Sequence, residues 1–130
     1  MPHLTVEYTD NLTAPRVPEL LRALNGVLLA RPDVYPPGGI RARAHRLTEY
    51  VVAEGAHDDA FVHVTLKIAA GRSEAVKAET GAALFEVLMS HFASDFEARS
   101  LALSLEIAEF SEAGTFKHNN IHARYRQVTS

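Results

Sequence analysis

Displacing the 130-residue chain by sixty positions against itself, without gaps, sets His3-Leu4-Thr5-Val6 beside His63-Val64-Thr65-Leu66. The same displacement brings Glu19 to Glu79, Ala23-Leu24 to Ala83-Leu84, Val27-Leu28 to Val87-Leu88, Ala42 to Ala102, Glu49-Tyr50 to Glu109-Phe110 and Ala53 to Ala113. Agreement at one register over about fifty residues marks duplication of one supersecondary unit. No other feature constrains the fold as strongly, because whatever one half builds the other must build again. The halves run over about 2–57 and 60–113, meet near Gly55-Ala56-His57-Asp58-Asp59, and are followed by a C-terminal tail. At this length, with 47% hydrophobic residues, the two halves share one core, and residues 1–130 are expected to form a single domain.

Within each half the apolar period changes from two to three-and-four and back to two. Leu4, Val6 and Tyr8 alternate with His3, Thr5 and Glu7, and Val62, Val64, Leu66 and Ile68 do the same, as half-buried strands require. Val17, Leu20, Leu21, Leu24, Val27 and Leu28 then fall on one face of a helix that starts around Thr13, Pro15 and Pro18. Its counterpart carries Leu84, Phe85, Leu88, Met89 and Phe92, with Ser73 as the N-cap. Pro36-Pro37-Gly38-Gly39 breaks the first half before an alternating stretch from Ile40 to about Val52, and Leu101, Leu103, Leu105 and Ile107 alternate in the corresponding place. A right-handed crossover in each strand-helix-strand unit makes its two strands parallel. The expected fold is therefore α/β: duplicated β-α-β units forming a four-stranded mixed sheet with two helices on one face. Apolar or small residues on both strand faces, such as Ala102 and Ser104 opposite the leucines, predict that the other face packs against further copies of the chain.

Several classes of function drop out. Thirteen Lys and Arg against sixteen Asp and Glu give a formal charge of −3, without the basic footprint of a nucleic-acid binder. The absence of Cys removes disulfide frameworks, thiolate metal sites and cysteine nucleophiles. No apolar run approaches the ~18 residues of a membrane span, and the N-terminus lacks the pattern of a signal peptide, so a cytoplasmic protein without a membrane partner is expected. Neither a nucleophile elbow nor a phosphate-binding or dinucleotide glycine loop is present.

What remains is a small set of chemically informative residues. An internal prolyl nitrogen is a non-basic amide, but removal of Met1 would turn Pro2 into a secondary amine at the head of a strand. Desolvation and nearby cations would lower the pKa of such an amine toward neutrality, where it serves as a general base. Arg41 and Arg43, two apart on a strand, share a face. Arg72 lies in Ala70-Gly71-Arg72-Ser73 at a strand-to-helix turn, where a glycine, a helix N-terminus and a guanidinium fork together suit a carboxylate. His118 and His122 have the spacing of a helical metal pair but no specified third ligand, and no metal is expected. His3 and His63 occupy equivalent strand positions and are read as structural.

Taken in order, Met1-Pro2-His3, Gly39-Ile40-Arg41-Ala42-Arg43-Ala44-His45, the run from His57 to Ile68, Gly71-Arg72-Ser73 and Phe116-Lys117-His118-Asn119-Asn120 resemble the 5-carboxymethyl-2-hydroxymuconate isomerase family of the tautomerase superfamily over nearly the whole chain. The resemblance implies a homotrimer with a duplicated β-α-β fold and a cofactor-independent tautomerisation in bacterial homoprotocatechuate degradation. It also implies a small polycarboxylate dienol as substrate. Pro2 would be the proton-transferring base, Arg41 and Arg72 the carboxylate-binding and electrophilic groups, and Arg43 a further substrate-binding residue. Two other readings are another N-terminal-proline tautomerase acting on a different enol acid, and a catalytically silent trimeric binding protein.

Overall fold

The computed structural model describes residues 1–126. Its strands are β1 (His3–Thr9), β2 (Arg41–Leu47), β3 (Ala60–Ala69) and β4 (Leu101–Phe110). Its helices are α1 (Val17–Leu29), α2 (Glu74–His91), α3 (Ala93–Ala98) and α4 (His122–Arg126), with a 3-10 turn over Pro37–Gly39. The strands form one mixed sheet in the order β2-β1-β3-β4, parallel within β1–β2 and β3–β4 and antiparallel across the central β1–β3 pair. Thus strand, helix, strand occurs twice, as expected. The central register pairs Thr5 with Thr65, two residues that a shift of sixty exchanges, so the approximate two-fold axis passes through that pair.

Both helices cover the same sheet face. Leu4 and Val6 of β1 and Val62, Val64, Leu66 and Ile68 of β3 are completely buried in one cluster with Leu20, Leu24 and Leu28 of α1 and Leu84 and Leu88 of α2. The buried residues of α1 and of α2 (Thr80, Leu84, Leu88) also correspond at a displacement of sixty. Burial of each such leucine contributes on the order of 2 kcal/mol. The exception is Thr80, whose hydroxyl lies 2.8 Å from that of buried Tyr35, so that a polar pair is satisfied inside the core.

Four local expectations need correction. First, α1 does not start with a side-chain cap near Thr13: Arg16 precedes it in the left-handed region (φ 48°), and the prolyl ring at Pro18, which needs no N–H in the first turn, sets the helical start. Ser73 does cap α2, accepting the Val76 N–H at 3.1 Å. Second, β2 ends at Leu47 rather than near Val52, since β1 ends opposite it at Thr9 and offers no further partner. Third, the second unit contains a short extra helix, α3, between α2 and β4, where the first unit has only the 3-10 turn.

The fourth correction concerns the uncovered sheet face, where the small Ala102, Ser104 and Ala108 of β4 are joined by charged and polar residues from the other strands. Cross-strand register gathers Arg41, His3 and Lys67 into one row, Arg43, Thr5, Thr65 and Glu106 into the next, and His45, Glu7, His63 and Ser104 into a third. His63 is hydrogen-bonded to Ser104 at 2.7 Å and to Glu106 at 2.9 Å. Alternation along a single strand shows which residues share a face, but only the register shows which neighbours they meet. An apolar groove lies at the sheet edge, where Phe85, Met89, Phe96 and Leu103 line a space between α2, α3 and β4.

Candidate active site

The site begins where β1 begins. Pro2 is buried, and its carbonyl accepts the Arg41 N–H at 3.2 Å, continuing the β1–β2 ladder by one step. Proline is tolerated there because a residue leading into a strand need not donate to the ladder. Arg41 reaches back so that one guanidinium nitrogen donates to the Met1 sulfur and, at 3.4 Å, to the Gly39 carbonyl. Arg43, on the same face one row along, donates to His3 Nδ1 at 3.0 Å. A guanidinium has no acceptor, so Nδ1 of His3 carries no proton. In agreement, burial, followed by the charges of Arg43, Arg41, the N-terminus and Lys67, lowers the His3 pKa.

Arg72 follows Gly71 (φ 113°) at the β3–α2 turn and donates to the carbonyls of Ala69 at 3.2 Å and Val34 at 2.9 Å. Its guanidinium carbon lies 5.0 Å from the centre of the Tyr35 ring, and its buried Nε–H has no partner among the described residues. The Tyr35–Thr80 hydrogen bond fixes the ring beneath it. The α2 N-terminus contributes less than its position suggests, because the Ser73 hydroxyl already occupies one of its free amides.

Two clefts of about 300 Å³ each open on the N-terminal residue. One is lined by Met1, Pro2, Pro36, Gly39, Lys117, Asn119 and His122. The other lies on the open sheet face and includes Met1, His3, Arg43, Lys67, Phe116 and Lys117. Among the described residues no carboxylate lines either one. The terminal amine is held below its ordinary pKa first by burial and then by Lys117, Arg72 and Arg41. The three arginines singled out from the sequence, together with Pro2, therefore gather at one end of the molecule, with Arg43 facing the sheet-side cleft while Arg41 and Arg72 act on the amine.

Lys117 and Asn119 were legible only as parts of a polar tail without an assigned role. Periodicity could not place them because 111–121 is irregular. In the structure Asn119 donates to the Gly38 carbonyl at 2.9 Å and accepts the Ile121 N–H at 2.7 Å, and α4 rests on the 3-10 turn. The tail therefore returns Lys117 to the N-terminus. Lys67 was likewise missed, its signal being only its register opposite His3. His122 lines the first cleft, but among the described residues no three His, Cys, Asp or Glu side chains come together as a metal site.

Residues 2–125 match the family model of 5-carboxymethyl-2-hydroxymuconate isomerase. The chain is 43% identical over 127 residues to the 5-carboxymethyl-2-hydroxymuconate Delta-isomerase of Escherichia coli, covering 97% of this chain and all of that protein. It is 69% identical to the crystal structure of a 5-carboxymethyl-2-hydroxymuconate isomerase from Deinococcus radiodurans R1, with a TM-score of 0.94 over 96% of this chain and 94% of the other. A further solved 5-carboxymethyl-2-hydroxymuconate delta-isomerase is 28% identical, with a TM-score of 0.87 over 96% and 93% of the two chains. With fold, order of motifs and full-length similarity in agreement, the chain belongs to the 5-carboxymethyl-2-hydroxymuconate isomerase family.

Proposed function

We propose that this protein is a cofactor-independent isomerase that converts 5-carboxymethyl-2-hydroxymuconate, a dienol, into its unsaturated 2-oxo acid, with Pro2 as the base once Met1 is removed. The observation that carries this reading is the burial of residue 2 at the head of a central strand, directly beside a Met1 amine that lies in the field of Lys117, Arg72 and Arg41. The secondary amine takes the proton from the enol hydroxyl. As the O–H bond breaks, a carbonyl forms, the remaining double bond shifts, and a C–H bond forms at the far end of the conjugated system from the proton the amine returns. No electrons leave the substrate, so the step requires only a base and stabilisation of the intermediate dienolate. Arg41 and Arg72 supply that stabilisation and orient the carboxylates, and Arg43 adds a further anion contact.

The protein would act as a homotrimer in the cytoplasm, in homoprotocatechuate breakdown, with two repeated units of about 2–57 and 60–113 forming one domain. The ten-residue edge strand β4, its adjoining apolar groove and the polar uncovered sheet face are the surfaces available for assembly. No helix among the described residues is long and apolar enough to cross a membrane. Light scattering tests the assembly, and a persistent monomer at micromolar concentration would rule it out. The mechanism is tested with protein whose loss of Met1 is verified by intact mass. Pro2→Ala should keep the fold and lose on the order of 100-fold in kcat/KM, whereas a wild-type rate in that variant would exclude Pro2 as the base.

A further inference from the structure

One short segment, residues 34–41, reaches most of the groups gathered at residue 2. The Val34 carbonyl accepts from Arg72 at 2.9 Å, and the Tyr35 ring centre lies 5.0 Å from the same guanidinium. Pro36 and Gly39 line the cleft that holds Pro2, the Gly38 carbonyl receives Asn119 of the tail, and Arg41 opens β2. Two ties fasten this part of the first unit to neighbouring residues of α2 in the second. Arg31 pairs with Glu79 in a largely exposed ion pair, and the Tyr35 hydroxyl meets that of Thr80 at 2.8 Å, with the two residues only 1% and 5% exposed. Exposed ion pairs contribute little, so the buried hydroxyl pair is the stronger tie.

Arg72 itself is held without being neutralised. Its partners are the carbonyls of Ala69 and Val34 and the face of the Tyr35 ring, and none of the ion pairs among the described residues includes it. Carbonyl dipoles and an aromatic face fix a guanidinium and leave its charge intact, whereas a carboxylate would fix it and cancel the charge. The side chain is long and rich in rotamers, so without such a socket that charge would be spread over many positions. We propose that Tyr35 is a positioning residue of the isomerase: its ring, anchored to Thr80 through the hydroxyl, holds the Arg72 guanidinium where it acts on the amine of residue 2 and on the dienolate. The inference deepens the isomerase reading and rests on it for the reaction, while the placement of Arg72 toward the amine is independent of any substrate.

The test compares wild type, Tyr35→Phe, Tyr35→Leu, Arg72→Ala and the double variant Tyr35→Leu with Arg72→Ala, each verified to lack Met1 and to be folded at the assay temperature. The first readout is an NMR titration of the Pro2 amine in protein carrying isotope-labelled proline, without substrate. Arg41, His3, Lys67, Lys117 and His122 also surround the N-terminal residue, so the effect of Arg72 is read as a difference between variants. Arg72→Ala should raise the pKa of the amine, Tyr35→Leu should raise it too, and Tyr35→Phe, which keeps the ring, should raise it less. The double variant should match Arg72→Ala alone, because a residue that acts through Arg72 then has nothing left to position. On 5-carboxymethyl-2-hydroxymuconate, Tyr35→Leu should lose roughly 3- to 30-fold in kcat, as expected for a lost cation–π contact, with the rising limb of the pH profile displaced upward. A further effect of Tyr35→Leu in the Arg72→Ala background overturns the proposal, as does an amine that neither variant moves. If Tyr35→Leu does not fold, Tyr35→Phe completes the same cycle, and equal shifts with and without Arg72 overturn it. Coupled shifts of the amine in a protein that turns over no substrate uphold the positioning role and refute the isomerase reading instead.

Discussion

Gly38→Ala should detach the C-terminal tail while leaving the core intact. Gly38 is buried in the 3-10 turn, and a methyl group added there would lie 2.7 Å from His122 Nδ1 and 2.8 Å from the His122 Cα and backbone nitrogen. A carbon needs about 3.5 Å, so at least 0.7 Å of overlap falls on the backbone of α4, which no rotamer change relieves. Forcing the fit would cost about 1–3 kcal/mol, as overpacking generally does. The tail has a cheaper alternative. It is held by the Asn119 hydrogen bond to the Gly38 carbonyl and the contacts of a five-residue helix, so it should undock rather than strain the core. Two controls isolate the effect. Gly39→Ala places its methyl at 3.5 Å from Met1, an ordinary contact, and Gly26→Ala meets nothing within 4 Å inside α1, where it should raise stability by about 0.5–1 kcal/mol. The assay is limited trypsin digestion, which samples Lys117 and Arg124 in the tail, alongside thermal unfolding and kcat/KM. Gly38→Ala should be cut faster in the tail, with a melting temperature close to wild type and lowered kcat/KM, because Lys117 leaves the cleft. A Gly38→Ala protein with wild-type tail protection and activity would refute the packing of α4 on the turn as the device that places Lys117.

The kcat/KM of the processed enzyme should rise with pH as the residue-2 amine loses its proton. Positive neighbours disfavour the ammonium form, so Lys117→Gln or Arg72→Ala should move that rising limb to higher pH, measured with a substrate whose own ionisation is corrected for. Tyr35→Phe should destabilise the fold by about 1–2 kcal/mol in urea unfolding, since it strands the buried Thr80 hydroxyl, and Thr80→Val in the same background should recover part of that loss. His3 has a lowered pKa in the folded state, so the unfolded chain binds its proton more readily and acid erodes stability as pH falls through the ordinary histidine range. His3→Gln should flatten the dependence of unfolding free energy on pH in that window, and an unchanged slope would remove His3 from the cationic cluster.

The uneven legibility of the chain has physical causes. Residues such as Leu24 and Leu84, or Val6 and Val64, announce their roles because a regular backbone turns sequence spacing into one face with a fixed period. Pro2, Arg41, Arg43 and Arg72 could be singled out because each lies at or near the start of such an element, where local chemistry is readable: a prolyl nitrogen, a strand alternation, a glycine turn. Lys117 and Asn119 gave no such signal, since their positions depend on an irregular segment held by a single close approach at Gly38. The polarity of the open face was misread for a related reason. Ala102 and Ser104 are small within β4, but the face is composed by four strands, and His3, Lys67 and Arg41 meet only through pairing.

By itself, then, the sequence determined the repeat, the α/β layering, the helical faces and the places of Pro2 and the three arginines at the starts of regular elements, all of which follow from interactions within about one turn of helix or two strand positions and from a displacement of sixty that can be read along one dimension. The tertiary structure alone decided the strand order β2-β1-β3-β4, the row joining Arg41, His3 and Lys67, the support of Arg72 by Val34 and Tyr35, and the return of Lys117 to the N-terminus. These are contacts between residues from about 40 to more than 100 positions apart, whose formation depends on which surfaces the packed core leaves adjacent, a property of the whole chain that no local period encodes.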